Sequence, residues 1–377
     1  MTLGQDRGEA VIDLNAIRGN LTAIAAALPD VDIMAIVKAD AYGHGAVAVA
    51  RAAREAGVPW LGVALPGEAL QLRDAGDEGR VLAWLLVPGE PSIGECVGRE
   101  VDLGTGSVWA VHEIADAARQ HGVRARVHLK VDTGLGRGGS APADWPALIA
   151  TARSHADVLE IVGIWSHLAC ADQPEHPATA QQVGVFEDAL ATAASAGVVP
   201  EVRHLASSGA ALTRPDTHYD LVRIGIAAYG MTPGPLVGPP YPHGLRMRPA
   251  MTLRARVSSL KRVPAGHGAS YGLTWRAPQE TSLALVPLGY ADGLPRGVRG
   301  AAVSIGGVRY PIVGRMAMDQ CVVDVGDSDV RSGDDVLVFG PGDAGEPTAE
   351  EWAAWNDTIG YEIVTRVGPR VPRRYVG

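Results

Sequence analysis

One lysine stands directly after a fully apolar run: Lys38, in AIVKADAYGHG (residues 35–45). At the rim of a partly dry cleft, such an amine loses solvation as a cation. Its pKa falls, and it becomes a nucleophile suited to Schiff-base chemistry. A surface lysine that merely follows a strand is the plainer alternative. Further on, DTGLGRGG (132–139) places Arg137 among four glycines. Gly134, Gly136 and Gly139 match the dinucleotide pattern G-x-G-x-x-G in form. That pattern wants an acid at the end of the next strand, whereas Asp157 and Glu160 precede it. The loop reads better as a holder for Arg137, whose planar fork suits a carboxylate or a phenolic oxygen. Just upstream, Arg126, His128 and Lys130 alternate with Val127, Leu129 and Val131. One face of that strand is therefore polar, and a buried Lys130 there needs a partner or a modification. His167 closes a later apolar run. Ser207, Ser208 and Gly209, then Arg223, Ile224, Gly225 and Ile226, supply hydroxyls and free N–H groups that suit a phosphate dianion.

These groups need elements to hold them. Eight short apolar runs read as strands: 33–37, 60–64, 81–86, 101–104, 126–131, 161–167, 202–206 and 221–224. Helix-like segments separate most of them. One is the Ala-rich stretch Ala46–Ala56; another puts Val183, Phe186, Ala189, Leu190 and Ala193 on one face. Eight βα units imply an α/β fold, a (β/α)8 barrel, with a doubly wound sheet as the competitor. From about Leu245 the pattern becomes strands split by Gly-containing turns: 251–262, 282–287, 302–305, 308–313, 321–325 and 335–339. Helix returns only at 349–355. The expected domains are a barrel over 1–240 and a mostly β C-terminal domain over 241–377, with the first ten or so residues able to pack on the latter. The Pro- and Gly-rich segment 231–248 is the natural linker.

Barrels carry their chemistry at the C-terminal ends of the strands. Those ends hold Lys38 at one rim, a phosphate cradle at the opposite rim and arginines between. Together these predict a pyridoxal 5'-phosphate (PLP) site, since PLP needs an amine for its aldehyde, a cradle for its phosphate and a partner for its ring nitrogen.

The chain resembles the alanine racemase family, PLP enzymes of the barrel type. The segments that carry the likeness are AIVKADAYGHG (35–45), VHLKVDTGLGRGG (127–139), SHLACAD (166–172), HLASSGAAL (204–212), LVRIGIAAYG (221–230), ASYGLTW (269–275), LGYADGLPR (288–296), GRMAMDQ (314–320), TIGYEIVT (358–365) and RVPRRY (370–375). They run in the family's order over nearly the whole chain. The resemblance implies interconversion of L- and D-alanine by two bases, with D-alanine supplied to peptidoglycan of the cell wall. It makes Lys38 the Schiff-base lysine and the base on one face of the substrate Cα, and Tyr271 the base on the other. Tyr271 would come from a partner subunit, so a homodimer with shared active sites is implied. Tyr42, Ser208, Gly225, Ile226 and Tyr361 match phosphate-binding positions, and Arg223 matches the partner of the pyridine nitrogen. Arg137 matches the group near the phenolic oxygen and the substrate carboxylate. Met318 matches a partner-subunit residue whose backbone N–H reaches the same carboxylate. His167 matches the link from the Tyr271 hydroxyl to Arg223. Tyr290 and Asp319 match the substrate entrance, and Lys130 a lysine carbamylated in some relatives. Ala317 and Ser207 depart from the commoner residues at their positions, which tunes the pocket edge without removing a catalytic group.

Composition narrows the classes. A net charge of −9 argues against nucleic acid or an anionic membrane as partner. No apolar run reaches the roughly 18 residues of a membrane span, and the N-terminus does not read as a signal peptide. Three scattered cysteines, Cys96, Cys170 and Cys321, form no zinc or disulfide spacing. A reducing compartment, the cytoplasm, and no metal are therefore expected. Three other readings stay open: a racemase of another small amino acid such as serine, a barrel-type decarboxylase of basic amino acids, and a PLP-binding protein without catalysis. The pairing of Lys38 with Tyr271 favours racemisation over the second. The extra β domain favours it over the third.

Overall fold

The computed structural model describes residues 7–234 and 244–377, so half of the predicted linker 231–248 lies outside the described residues. Strand β1 (Gly8–Asp13) belongs to a second sheet and leads into the helix Leu14–Ala27. The Asp13 carboxylate caps that helix by accepting the Ala16 N–H at 3.0 Å. Its buried face carries Ile17, Leu21 and Ile24 at helical spacing.

Eight parallel strands follow: β2 (Asp32–Ile36), β3 (Trp60–Val63), β4 (Arg80–Ala83), β5 (Asp102–Thr105), β6 (Ala125–Lys130), β7 (Leu159–Trp165), β8 (Val202–His204) and β9 (Leu221–Ile224). From β2 to β8 each pairs with the next in sequence, and β9 pairs with β2. The gap between β8 and β9 is bridged at Ser207 and Arg223, with the Arg223 N–H on the Ala206 carbonyl at 3.1 Å. The result is a (β/α)8 barrel, as the count of eight βα units implies. β3 is buried at all four positions, which is what helices outside and side chains inside require. The predicted runs overshoot at 84–86, 166–167 and 205–206. There the chain leaves the sheet, and of these residues Trp84 and His167 line the cavity at the barrel mouth.

A second, nine-stranded sheet gathers most of the remaining chain. It contains β10 (Met251–Arg256), β11 (Ser259–Val263), β14 (Thr281–Val286), β15 (Ala302–Ile305), β16 (Val308–Val313), β17 (Cys321–Gly326), β18 (Asp335–Phe339) and β19 (Arg373–Val376), together with β1. A separate hairpin joins β12 (Gly268–Ala269) to β13 (Trp275–Arg276). The expected single strand 251–262 is two strands. β10 pairs with β1 and β18, whereas β11 pairs with β14. The chain switches partner where Val257 N–H bonds Asp334 and Ser258 N–H bonds Leu285.

The two sheets are tied together near the barrel mouth. Buried Asn20 donates to the carbonyls of Ala228 (3.0 Å) and Arg248 (2.9 Å) and accepts the Arg248 N–H at 2.8 Å. Asn20→Ala leaves those backbone groups without partners. Each orphan costs about 1–3 kcal/mol, so the urea midpoint of unfolding is expected to fall clearly. An unchanged midpoint would show that water replaces the amide.

Candidate active site

The C-terminal ends of the barrel strands surround a cavity of about 200 Å³. β2 stops at Ile36, and the chain then enters a left-handed turn with φ of +52° to +54° from Ala39 to Tyr42. Four successive non-glycine residues in this region cost about 1 kcal/mol or more apiece. Several bonds hold the turn. The Glu68 carboxylate accepts the Ala39 N–H at 2.6 Å, and Asp40 accepts the Ala46 N–H at 2.7 Å. Arg373, from the far end of the chain, donates to the Gly43 carbonyl at 3.0 Å. Burial holds the His44 pKa down to about 4, so the ring is neutral. Its Nδ1–H can then donate to the carbonyls of Ala41 and Tyr42, both at 3.0 Å. The strained turn puts the side chains of both Lys38 and Tyr42 on the cavity wall.

Four cations line this cavity: Lys38, Lys130, Arg137 and Arg223. Among the described residues none of them forms an ion pair. Burial first, then Arg137, holds Lys38 below the usual lysine range; Glu68 opposes them, and Arg223 adds a smaller push in the same direction as burial. Lys130 comes down to about 8 for the same leading reason, with Arg223 and Arg137 adding and Asp132 opposing. Its Nζ sits 4.5 Å over the Trp165 ring. Uncompensated positive charge in a semi-enclosed space selects an anionic ligand.

The glycine loop behaves as a holder and not as a dinucleotide turn. It folds back so that Asp132 N–H bonds Ser140 at 2.8 Å and Ser140 N–H bonds Lys130 at 2.8 Å. The next helix starts only at Trp145.

Arg223, on β9, is buried, and burial brings it down to about 9. One terminal nitrogen reaches His204 Nδ1 (3.0 Å) and the His204 carbonyl (3.1 Å). The other reaches the Ser166 and Leu205 carbonyls, each at 2.8 Å, and His167 Nδ1 at 3.0 Å. The Nε–H has no protein acceptor among the described residues, which leaves one donor for a ligand. A guanidinium can only donate, so His167 accepts on Nδ1. Burial and the neighbouring cations hold His167 well below its usual range, so it is neutral and carries its proton on Nε2.

Opposite Lys38 lies the cradle of Ser208, Gly225 and Ile226, with the rings of Tyr42 and Tyr361. Ser208 Oγ accepts the Gly225 N–H at 2.9 Å. The Tyr361 hydroxyl donates to the Pro233 carbonyl at 3.2 Å. A Cβ on Gly225 would lie 2.5 Å from the Tyr42 hydroxyl. Gly225→Ala therefore displaces that hydroxyl from the cradle. Affinity for a phosphate-bearing cofactor is expected to drop about tenfold or more, with the fold retained, as read by cofactor titration. Native affinity would remove Gly225 from the cradle.

The predicted residues divide into two sets. Lys38, Tyr42, Lys130, Arg137, His167, Ser208, Arg223, Gly225, Ile226 and Tyr361 come together here. Tyr271, Met318, Tyr290 and Asp319 do not line this chain's cavity. Tyr271 is 66 % exposed and Met318 52 % exposed, while Asp319 pairs with Arg370 at 2.7 Å. Trp84, Trp165 and Glu68 were not foreseen. Each stands at or just past a strand end or begins the next helix, where an aromatic or an acid is indistinguishable from core or cap in the sequence.

Two family models match the chain: "Alanine racemase, N-terminal domain" over residues 12–233 and "Alanine racemase, C-terminal domain" over residues 250–375. An alanine racemase of Frankia casuarinae is 55% identical over 373 residues, covering 98% of this chain and 96% of the relative. That of Thermobifida fusca is 53% identical, covering 98% of each. The crystal structure of alanine racemase from D-cycloserine-producing Streptomyces lavendulae superposes with a TM-score of 0.96 at 50% identity, over 99% of this chain and 98% of that one. The chain belongs to the alanine racemase family.

Proposed function

We propose that the chain is an amino-acid racemase that interconverts L- and D-alanine, with pyridoxal 5'-phosphate as cofactor. The observation that carries the reading is a single cavity holding a desolvated amine, Lys38, a hydroxyl-lined cradle and three further cations. The residues fit that cofactor. Lys38 would hold its aldehyde carbon. Ser208, Ile226, Tyr42 and Tyr361 would hold its phosphate, and Gly225 leaves the room they need. The unpaired Nε–H of Arg223 would meet its ring nitrogen, and Arg137 its phenolic oxygen. When bound, the cofactor supplies an electron sink that makes the Cα proton of a linked amino acid acidic.

The chain's own groups do the rest. Lys38, held below its ordinary range, is free to take a proton at pH values where an exposed lysine cannot. Arg223 would keep its own proton, donate a hydrogen bond and leave the ring nitrogen unprotonated. That would weaken the electron sink and so suppress side reactions. Arg137 orients the substrate carboxylate. Tyr271 stands off this cavity, which supports a homodimer whose C-terminal domain (241–377) lends Tyr271 and the Met318 N–H to the partner's barrel (1–240). Tyr290 and Asp319 would line the entrance of that composite site. D-alanine for peptidoglycan is the role in keeping with the family. A cytoplasmic enzyme is in keeping with it too; no helix among the described residues is long and apolar enough to cross a membrane.

Lys130 is a candidate for carbamylation. With its pKa near 8, an appreciable fraction of the amine is neutral at neutral pH. Neutral amine adds to carbon dioxide and loses a proton, which turns a strained cation into an anion beside Arg137. A carbamate resonance is expected in the ¹³C NMR spectrum under labelled bicarbonate, lost in Lys130→Ala. No such resonance would leave Lys130 as an amine stacked on Trp165.

The decisive experiment is proton NMR of the PLP-loaded protein with L-alanine in deuterated water, followed by chiral analysis. Loss of the Cα proton with appearance of D-alanine establishes the reaction. Absence of both, in protein that visibly holds the cofactor, rejects alanine as substrate and turns attention to serine.

A further inference from the structure

We propose that Asp102, at the floor of the barrel, positions Arg223 at its mouth through His128 and His204. This rests on reading Arg223 as the partner of the cofactor's ring nitrogen. The four groups stand on four strands, β5, β6, β8 and β9, and all are buried. Arg223 reaches His204 Nδ1 at 3.0 Å. His204 Nε2 lies 3.0 Å from His128 Nδ1, and His128 Nε2 lies 3.2 Å from Asp102 Oδ2. The other Asp102 oxygen accepts from Arg126 Nε at 2.8 Å.

The direction of every bond in this line follows from its ends. A guanidinium only donates and a carboxylate only accepts. His204 must therefore present a bare Nδ1 to Arg223 and carry its proton on Nε2. His128 must in turn present a bare Nδ1 and donate from Nε2 to Asp102. The guanidinium end alone fixes both tautomers, and the carboxylate end agrees with them. Burial and Arg223 hold His204 well below its usual range, in keeping with a neutral ring.

The surroundings are shaped to this line. A Cβ on Gly163 would fall 2.1 Å from His128 Nδ1, so a bare glycine gives the imidazole its place. Trp60 meets the His128 ring edge-on at 5.4 Å, and Trp165 stacks on His204 at 5.4 Å with 5° between planes. Water has little access to rescue a broken link. Asp102 is itself charge-balanced by Arg126 and, at 3.6 Å, by Arg80, so what the line gives Arg223 is a fixed acceptor, His204 Nδ1, that ties one guanidinium nitrogen. Rotation of Arg223 away from the ring nitrogen then requires breaking this polarised line as well as the bonds to the His204, Ser166 and Leu205 carbonyls and to His167. Asp102, His128 and His204 touch neither substrate nor cofactor; they are positioning residues.

The test begins with the native apoprotein, labelled with ¹⁵N in histidine only and assigned with His128→Gln and His204→Gln. Both rings are expected as single tautomers, protonated on Nε2 and bare on Nδ1. Asp102→Asn lets an amide N–H face His128, so one or both rings are expected to change tautomer. In the loaded enzyme the same variant is expected to lower kcat about tenfold or more, leave KM for alanine nearly unchanged and shift the bound cofactor's absorption. Asp102→Glu should recover part of both. Protonation of either ring on Nδ1 in the native protein overturns the proposal, as does native kcat and absorption in Asp102→Asn. A native protein that fails to racemise alanine counts against the functional reading instead, and the tautomers remain readable without it. Should the variant fail to fold, the native spectrum alone decides.

Discussion

Lys38→Ala is expected to lower racemisation about ten-thousand-fold or more and to remove the visible absorption of the cofactor-loaded protein. Two losses coincide in this variant. The amine that would anchor the cofactor disappears, and so does one of the two proton acceptors. Lys130 is the other amine on the cavity wall, but it is seated over Trp165 on a different strand and is a poor substitute. The substitution should not harm the fold. Lys38 Nζ makes no hydrogen bond or ion pair with any described residue, and its positive neighbours Arg137 and Arg223 disfavour its charge. Removing a half-buried, unpaired cation relieves that repulsion, so the melting temperature is expected to hold or rise. The turn from Ala39 to Tyr42 keeps its own bonds, because they use backbone groups and the side chains of Glu68, Asp40 and Arg373. The cradle should still bind free cofactor weakly. A small exogenous amine should then restore some exchange. A retained visible band together with retained turnover would sink the assignment.

Most of this site was legible because a parallel barrel presents its chemistry in chain order. Lys38, Arg137 and Ser208 follow apolar runs, His167 closes one and Arg223 lies near the end of another, and the fold gathers the ends of such runs on one face. The alternation at Arg126, His128 and Lys130 likewise announced an inward polar face. What the sequence concealed lies between strands. Asp102 and His204 are separated by about a hundred positions, and nothing local marks them as members of one line. Asp102 reads as an ordinary strand edge and His204 as part of an apolar stretch. The split between β10 and β11 was hidden for a related reason. Both halves alternate as strands do, and only their hydrogen-bond partners, β18 and β14, distinguish them. The left-handed turn after Lys38 carries a single terminal glycine pair around His44, too little to betray four non-glycine residues at positive φ.

Tyr271→Phe is expected to slow removal of the Cα proton about a thousandfold from one enantiomer and far less from the other. The position of the hydroxyl explains why. Tyr271 sits on the hairpin between β12 and β13, largely exposed and away from this chain's cavity. His167 meanwhile offers an Nε2–H toward that cavity with no acceptor among the described residues. A phenolic oxygen lent by a partner subunit would accept that proton. Arg223 behind the imidazole would favour the phenolate, so a normally weak base becomes competent on the face opposite Lys38. Because the two bases would come from different chains, the defects can be separated. Lys38→Ala and Tyr271→Phe subunits are each inactive in at least one direction. Mixed and allowed to exchange, half of the dimers become hybrids in which one site holds both defects and the other holds none. Full racemase activity should then appear at about a quarter of the native level, as random pairing of two-fold dimers dictates. Equal slowing from both enantiomers in Tyr271→Phe would defeat the two-base assignment. No recovery after subunit exchange has been verified by mass would place both bases in one chain and require the hairpin to fold over its own barrel.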